Sequence, residues 1–138
     1  MSGENQHTDK TILLVDDDQF LLNMYSIKFT NAGFNVETSN SASGAIEKLK
    51  SGLNPTALVF DVVMPNMDGI EMIKEIRKAR LAKDSVLVAL TNQGQSADVE
   101  EANRLGVDGY IVKASTVPSE VVDELQNIIK KAYKNNKD

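Results

Sequence analysis

The sequence predicts an α/β protein: a doubly wound, five-stranded parallel sheet of order 2-1-3-4-5, covered by five helices. Three observations carry that expectation. Short apolar runs bounded by turn residues alternate with stretches of helical periodicity, five of each and without repeats or low-complexity inserts. The runs are apolar throughout, as strands buried on both faces of a parallel sheet must be. The chain has 138 residues, the length of one domain, which with five strands favours this order over the six-stranded dinucleotide-binding one.

Residues 1–10 form a polar tail, expected to be disordered, that holds the only histidine, His7, and no apolar core of a secretion signal. Thr11–Val15 is the first strand and runs into Asp16-Asp17-Asp18. A helix follows from Gln19, with Phe20, Met24 and Ile27, and Leu21 beside them, expected on its buried face. Asn31-Ala32-Gly33 closes it at a stop glycine. Phe34–Thr38 is the second strand, and Asn40-Ser41 opens a helix whose Ala42, Ala45, Ile46 and Leu49 share one face.

After Ser51-Gly52 and Asn54-Pro55, Ala57–Phe60 is the third strand, from which Asp61 emerges. Beyond the loop containing Pro65 and Gly69, Ile70, Ile73 and Ile76 mark the third helix. Val86–Leu90 is the fourth strand and ends in Thr91-Asn92. Ser96–Leu105 reads as a helix with a thin apolar face of Val99, Ala102 and Leu105, stopped at Gly106. Tyr110–Val112 is the fifth strand and ends in Lys113. Thr116 caps the last helix, with Pro118 in its first turn and Val121, Val122, Leu125, Ile128 and Ile129 facing the core. The domain thus spans 11–133, with a frayed tail at 134–138.

Composition narrows the functions available. With no cysteine, disulfides, thiolate metal sites and cysteine nucleophiles are excluded. No apolar run approaches the ~20 residues that span a bilayer, so the expectation is a cytoplasmic protein without membrane association. The net charge of −5 argues against direct nucleic-acid binding. The cluster of Lys130, Lys131, Lys134 and Lys137 reads as a solvated helix end that complements the helix dipole.

The order 2-1-3-4-5 brings the ends of strands 1 and 3 together at its switch point, where ligands bind in open α/β sheets. Asp16, Asp17 and Asp61 meet there, with Thr91 and Lys113 leaving the neighbouring strands at the same sheet edge. Three gathered carboxylates repel one another unless a cation joins them, and hard oxygen donors suit Mg²⁺. A lysine ammonium and a hydroxyl beside that cation describe a place for a phosphoryl group. Asp61, centred among them, is the expected nucleophile, and its product an aspartyl phosphate. Asp18 reads instead as a helix cap, Asp68-Gly69 as a turn, and Met64, Met67 and Met72 as packing.

These pieces resemble the response-regulator receiver domain, the phospho-acceptor of two-component signalling, whose fold is flavodoxin-like. The resemblance covers Thr11 to about Ala132 and rests on Val15-Asp16-Asp17, the Asp61–Gly69 stretch, Thr91 and its separation from Asp61, and Gly109–Lys113. It implies that Asp61 accepts a phosphoryl group from a histidine kinase or histidine phosphotransfer protein. Asp16, Asp17, Asp61 and the backbone carbonyl of Val63 would bind Mg²⁺, and Thr91 and Lys113 the phosphoryl oxygens. It further implies that Thr91 and Tyr110 form a switch pair reshaping the face of helix 4, strand 5 and helix 5 for a downstream protein. Such a protein is not an enzyme in the ordinary sense, since it assists only its own phosphorylation and dephosphorylation. With only polar residues after the last helix, a stand-alone receiver is expected.

The chain departs from the pattern at Ala114, where the family usually has a proline in a cis bond, and at Asn92, where a small residue is common. Val63 and Gln93 stand at positions that, by the same resemblance, would tune phosphoryl loss. Those departures motivate an alternative, a receiver-like scaffold that binds partners independently of phosphorylation. A Mg²⁺-dependent phosphohydrolase is disfavoured because Val63 stands where such enzymes carry a second acid, and a flavin-binding module because Asp16–Asp18 would repel the phosphate.

Overall fold

Strands and helices alternate along the chain as β1 (Thr11–Val15), α1 (Gln19–Asn31), β2 (Asn35–Ser39), α2 (Ala42–Lys50), β3 (Ala57–Asp61), α3 (Gly69–Lys78), β4 (Val86–Thr91), α4 (Ser96–Arg104), β5 (Gly109–Val112) and α5 (Pro118–Asn135). The computed structural model describes residues 10–91, 96–113 and 117–135, without the side chains of 96–99 and 135. His7, Asn92, Gln93, Ala114, Thr116 and Lys137, all singled out in the sequence, lie outside the described residues, as does the Lys113–Ala114 bond.

The sheet has the expected order, β2-β1-β3-β4-β5, with every neighbouring pair parallel. Successive residues of a strand point to opposite faces, and two cores result. Ile12, Leu14, Val59, Val88 and Leu90 meet α1 and α5 on one side. Leu13, Val15, Leu58, Phe60, Leu87 and Ala89 meet α2, α3 and α4 on the other. The central strands β3 and β4 are buried along their whole length, which is why their sequences run apolar without alternation.

The buried face of α1 differs from the expectation. Leu22, Tyr25 and Phe29 face the sheet, whereas Phe20 is 72% and Ile27 60% exposed, with Leu21 and Met24 only flanking the core. Apolar residues surround much of this helix, so two stripes compete at helical spacing. Docking on the sheet, with the start of the helix set by the Asp18 cap on Phe20 and Leu21, selects between them. Phe34, expected to begin the second strand, precedes it and packs edge-on against Phe29, with ring centroids 6.2 Å apart. The last helix extends through Lys134 to Asn135.

Register delivers the functional side chains to one edge. Val15 pairs with Phe60, so Asp16 follows opposite Asp61. Asp61 pairs with Leu90 and Thr91 with Val112, which sets Thr91 and Lys113 one step beyond.

Candidate functional site

Asp16 is fully buried, and its neighbourhood explains how a carboxylate tolerates that position. Its N–H donates to the Ser39 carbonyl at the end of β2 (3.2 Å), and its Oδ1 accepts from the Asp18 N–H at 2.9 Å. Its Oδ2 accepts from Lys113 Nζ at 3.0 Å. Lys113 Nζ also donates to Asp61 Oδ2 at 3.3 Å, and both side chains of that second pair are less than a tenth exposed. The remaining oxygen of Asp61, Oδ1, accepts from the Val63 N–H at 3.2 Å. Asp17 is exposed, yet one carboxylate oxygen from each of Asp16, Asp17 and Asp61 lies within 4.8 Å of the others.

One lysine thus bridges two buried acids while a third acid faces the opening. Burial is the largest influence on Asp61 and Asp16 adds to it. Lys113 and the Val63 N–H oppose them but do not cancel them, and the Asp61 pKa rises from 3.8 to about 6. Burial pulls Lys113 down, but its bonds and attraction to Asp16 and Asp61 outweigh that and hold it above its ordinary value. The ammonium is therefore a fixed positive charge. Its single charge faces three carboxylates, an excess that hard oxygen chemistry would satisfy with a small dication. The residues present fit Mg²⁺ on that ground.

Thr91 is buried at the end of β4 and Tyr110 half-buried on β5. They share the sheet face that α4 covers: Tyr110 pairs with Ala89, two residues before Thr91 on the adjacent strand. The Tyr110 hydroxyl donates to Asn103 Oδ1 on α4. Asp18 is a cap, as read from the sequence, whereas Asp68, read there as part of a turn, is also a helix cap: it forms a reciprocal capping box with Glu71 at the start of α3.

Three contributors escape a reading of the sequence. Gly69 looks like a turn residue, but its requirement is space. A Cβ there would lie 2.4 Å from the Asp61 carbonyl oxygen and 2.8 Å from Phe60 Cδ2. Its N–H donates to the Val62 carbonyl at 2.8 Å, so α3 starts directly against the end of β3 and braces the Asp61 backbone. Tyr25, on the misjudged side of α1, is buried near the site: burial raises its pKa, Lys113 lowers it, and Asp16 and Asp61 raise it. Its spacing from Leu22 and Phe29 was the available signal. Ser39 supplies a backbone carbonyl, for which no side-chain signal exists.

The profile of the response regulator receiver domain family matches residues 12–126, nearly the whole fold with its acid cluster and lysine. The chain belongs to the response-regulator receiver family. It is 37% identical over 123 residues to the chemotaxis protein CheY of Thermotoga maritima, covering 88% of this chain and 98% of that protein. It is 30% identical to the response regulator SaeR of Staphylococcus aureus over 89% of this chain, and spans only about half (52%) of that protein's length. The structure of the chemotaxis protein CheY4 from Vibrio cholerae superposes with a TM-score of 0.79 at 28% identity, over 86% of this chain and 98% of that one. The receiver fold inferred from strand count and acid placement is therefore the fold of this chain. Among the described residues, no helix is long and apolar enough to cross a membrane.

Proposed function

We propose that this receiver accepts a phosphoryl group on Asp61 from a phosphohistidine of a histidine kinase or phosphotransfer protein, and that the modified site switches a protein-docking face. The observation that carries the reading is Lys113 Nζ bridging Asp16 and Asp61, inside a cluster of acids at the switch point of the sheet. In the transfer, an Asp61 carboxylate oxygen attacks phosphorus, the O–P bond forms as the P–N bond breaks, and the histidine nitrogen leaves with the bonding electrons and takes up a proton. Without metal the Asp61 carboxyl, at a pKa of about 6, is mostly ionised at neutral pH, and a bound dication would favour the ionised, attacking form further.

Asp16, Asp17 and Asp61, with the Val63 carbonyl, would hold Mg²⁺, which when bound supplies charge neutralisation between the carboxylates and the phosphoryl oxygens. Lys113, already oriented by two acids, and the Thr91 hydroxyl would receive the remaining phosphoryl oxygens. A protein donor is supported by exposed apolar side chains close in sequence to the site residues. Phe20, Val63 and Val117, three of the large hydrophobic side chains that are more than half exposed, follow the strand ends bearing Asp16, Asp61 and Lys113. Helix α4, strand β5 and helix α5 would form the face offered to the downstream protein.

Incubation with a small phosphodonor such as acetyl phosphate tests the reading by intact mass. The expected result is one Mg²⁺-dependent phosphoryl adduct that disappears in Asp61→Asn. An adduct that persists in the variant, or no adduct on the native protein, refutes it.

A further inference from the structure

We propose that Asn103 is a latch on the Tyr110 switch: its side-chain carbonyl holds the Tyr110 hydroxyl against α4 and opposes the inward movement that phosphorylation of Asp61 would draw. The proposal rests on the phospho-acceptor reading above and adds a residue to its regulation.

The geometry has two parts, a movable ring and a fixed post. The ring is that of Tyr110, half-buried beside the α4-side core on the same sheet face as Thr91. Its hydroxyl bond to Asn103 is an exposed one, so it can be broken without opening the core. The post is the C-terminal half of α4, which carries Asn103 and is tied to α3. Lys74 on α3 pairs with Glu101 at 3.4 Å, and Glu101 pairs with Arg104 at 2.7 Å. Arg77, also on α3, donates from Nε to the Leu105 carbonyl at 3.2 Å and from Nη2 to the Gly106 carbonyl at 3.4 Å. Between these ties Ala102 is fully buried.

A guanidinium on the free carbonyls of a helix C-terminus is favourable both as a hydrogen-bond donor and as a charge on the dipole. Asn103 therefore cannot follow the ring inward without detaching α4 from α3. The hydroxyl bond stabilises only the outward ring, and an interaction made in one of two states shifts the balance between them by its whole net worth. For a net hydrogen bond this corresponds to about two- to tenfold in the equilibrium when the outward state dominates.

The test compares the native protein with Asn103→Ala, an exposed position whose truncation leaves both cores intact. Apparent affinity for beryllofluoride with Mg²⁺ is measured by amide titration, and Tyr110 ring resonances are recorded before ligand is added. N103A is expected to bind about two- to tenfold more tightly, with ring resonances displaced toward their bound positions in the unliganded protein. In a Tyr110→Phe background, which lacks the hydroxyl, N103A is expected to change nothing. Native-like affinity and ring positions in N103A, or an equal effect in the Y110F background, overturn the latch while leaving the acceptor reading intact. A native protein that does not respond to beryllofluoride overturns the acceptor reading and the switch role of Asn103 with it.

Discussion

Replacing Asp61 by asparagine is expected to stabilise the metal-free protein at neutral pH and to leave it unchanged in acid. Burial first, then Asp16, lift the Asp61 pKa from 3.8 to about 6 against the opposing pull of Lys113 and the Val63 N–H. A carboxyl whose folded pKa exceeds its unfolded value holds its proton more tightly in the fold. Stability is therefore lost as pH climbs from the lower value through the higher one, the reverse of an aspartate stabilised by its partners. Integrated over that interval, the loss is on the order of 1–2 kcal/mol by pH 5 and about 3 kcal/mol by pH 7. Asparagine carries none of it. Its amide oxygen can still accept from Lys113, and the charged part of that bond is already contained in the shifted Asp61 pKa. The expected net gain for D61N is about 1–3 kcal/mol at neutral pH and above, vanishing near pH ~3.5. Urea denaturation in EDTA across that range, followed by circular dichroism, measures it. A variant less stable than the native protein at pH ~7, or a difference that does not change with pH, would refute the electrostatic account of the site.

Other perturbations read separate parts of the same argument. Lys113→Met removes the cation between two buried acids and should cost about 3–5 kcal/mol at pH ~8. The cost should shrink as pH falls toward about 5, because proton uptake relieves Asp61; the same urea series shows whether it does. Gly69→Ala puts a methyl against the Asp61 carbonyl, and thermal unfolding should report a loss of about 1–3 kcal/mol from the forced shift. Leu22→Ala should cost about 2–5 kcal/mol, and Phe20→Ala under about 1 kcal/mol; the opposite ranking would restore the face of α1 expected from periodicity.

Those α1 variants address the place where the sequence was least legible. Strands were easy to read because β1, β3 and β4 are buried on both faces and must be continuously apolar. The acids and lysine were legible for a related reason: a charged residue ending such a run can only sit at the sheet edge, and topology then decides which ends meet. In α1, Phe20 and Ile27 are as apolar as Leu22 and Phe29, so composition does not choose the inward face; contact with the sheet does. Gly69 was read as a turn because the atoms it would strike, on Phe60, Asp61 and Val62, belong to another element. Nothing in the order of residues joins Asn103 to Tyr110, since the contact requires β5 to be docked beside α4.

The charge balance of the site explains why a chemical change at Asp61 should be felt at that distance. At formal charges, Asp16, Asp17 and Asp61 against Lys113 sum to minus two, which one dication would cancel. Converting the Asp61 carboxylate to a dianionic acyl phosphate adds one further negative charge in a largely buried cleft. Lys113 donates to two carboxylate oxygens, at 3.0 and 3.3 Å, which leaves one of its three N–H donors for a phosphoryl oxygen, so the other new oxygens need donors from elsewhere. The Thr91 hydroxyl, buried at the end of the adjacent strand, is the donor that the proposed function would recruit. Tyr110 lies on the same sheet face, and in the proposed switch its ring would follow Thr91 inward. The opposing interaction is the bond to Asn103, anchored through α4 to α3. On this account the switch is a competition between one additional charge at Asp61 and one exposed hydrogen bond at Asn103, and its threshold is set by the weaker, more easily varied partner.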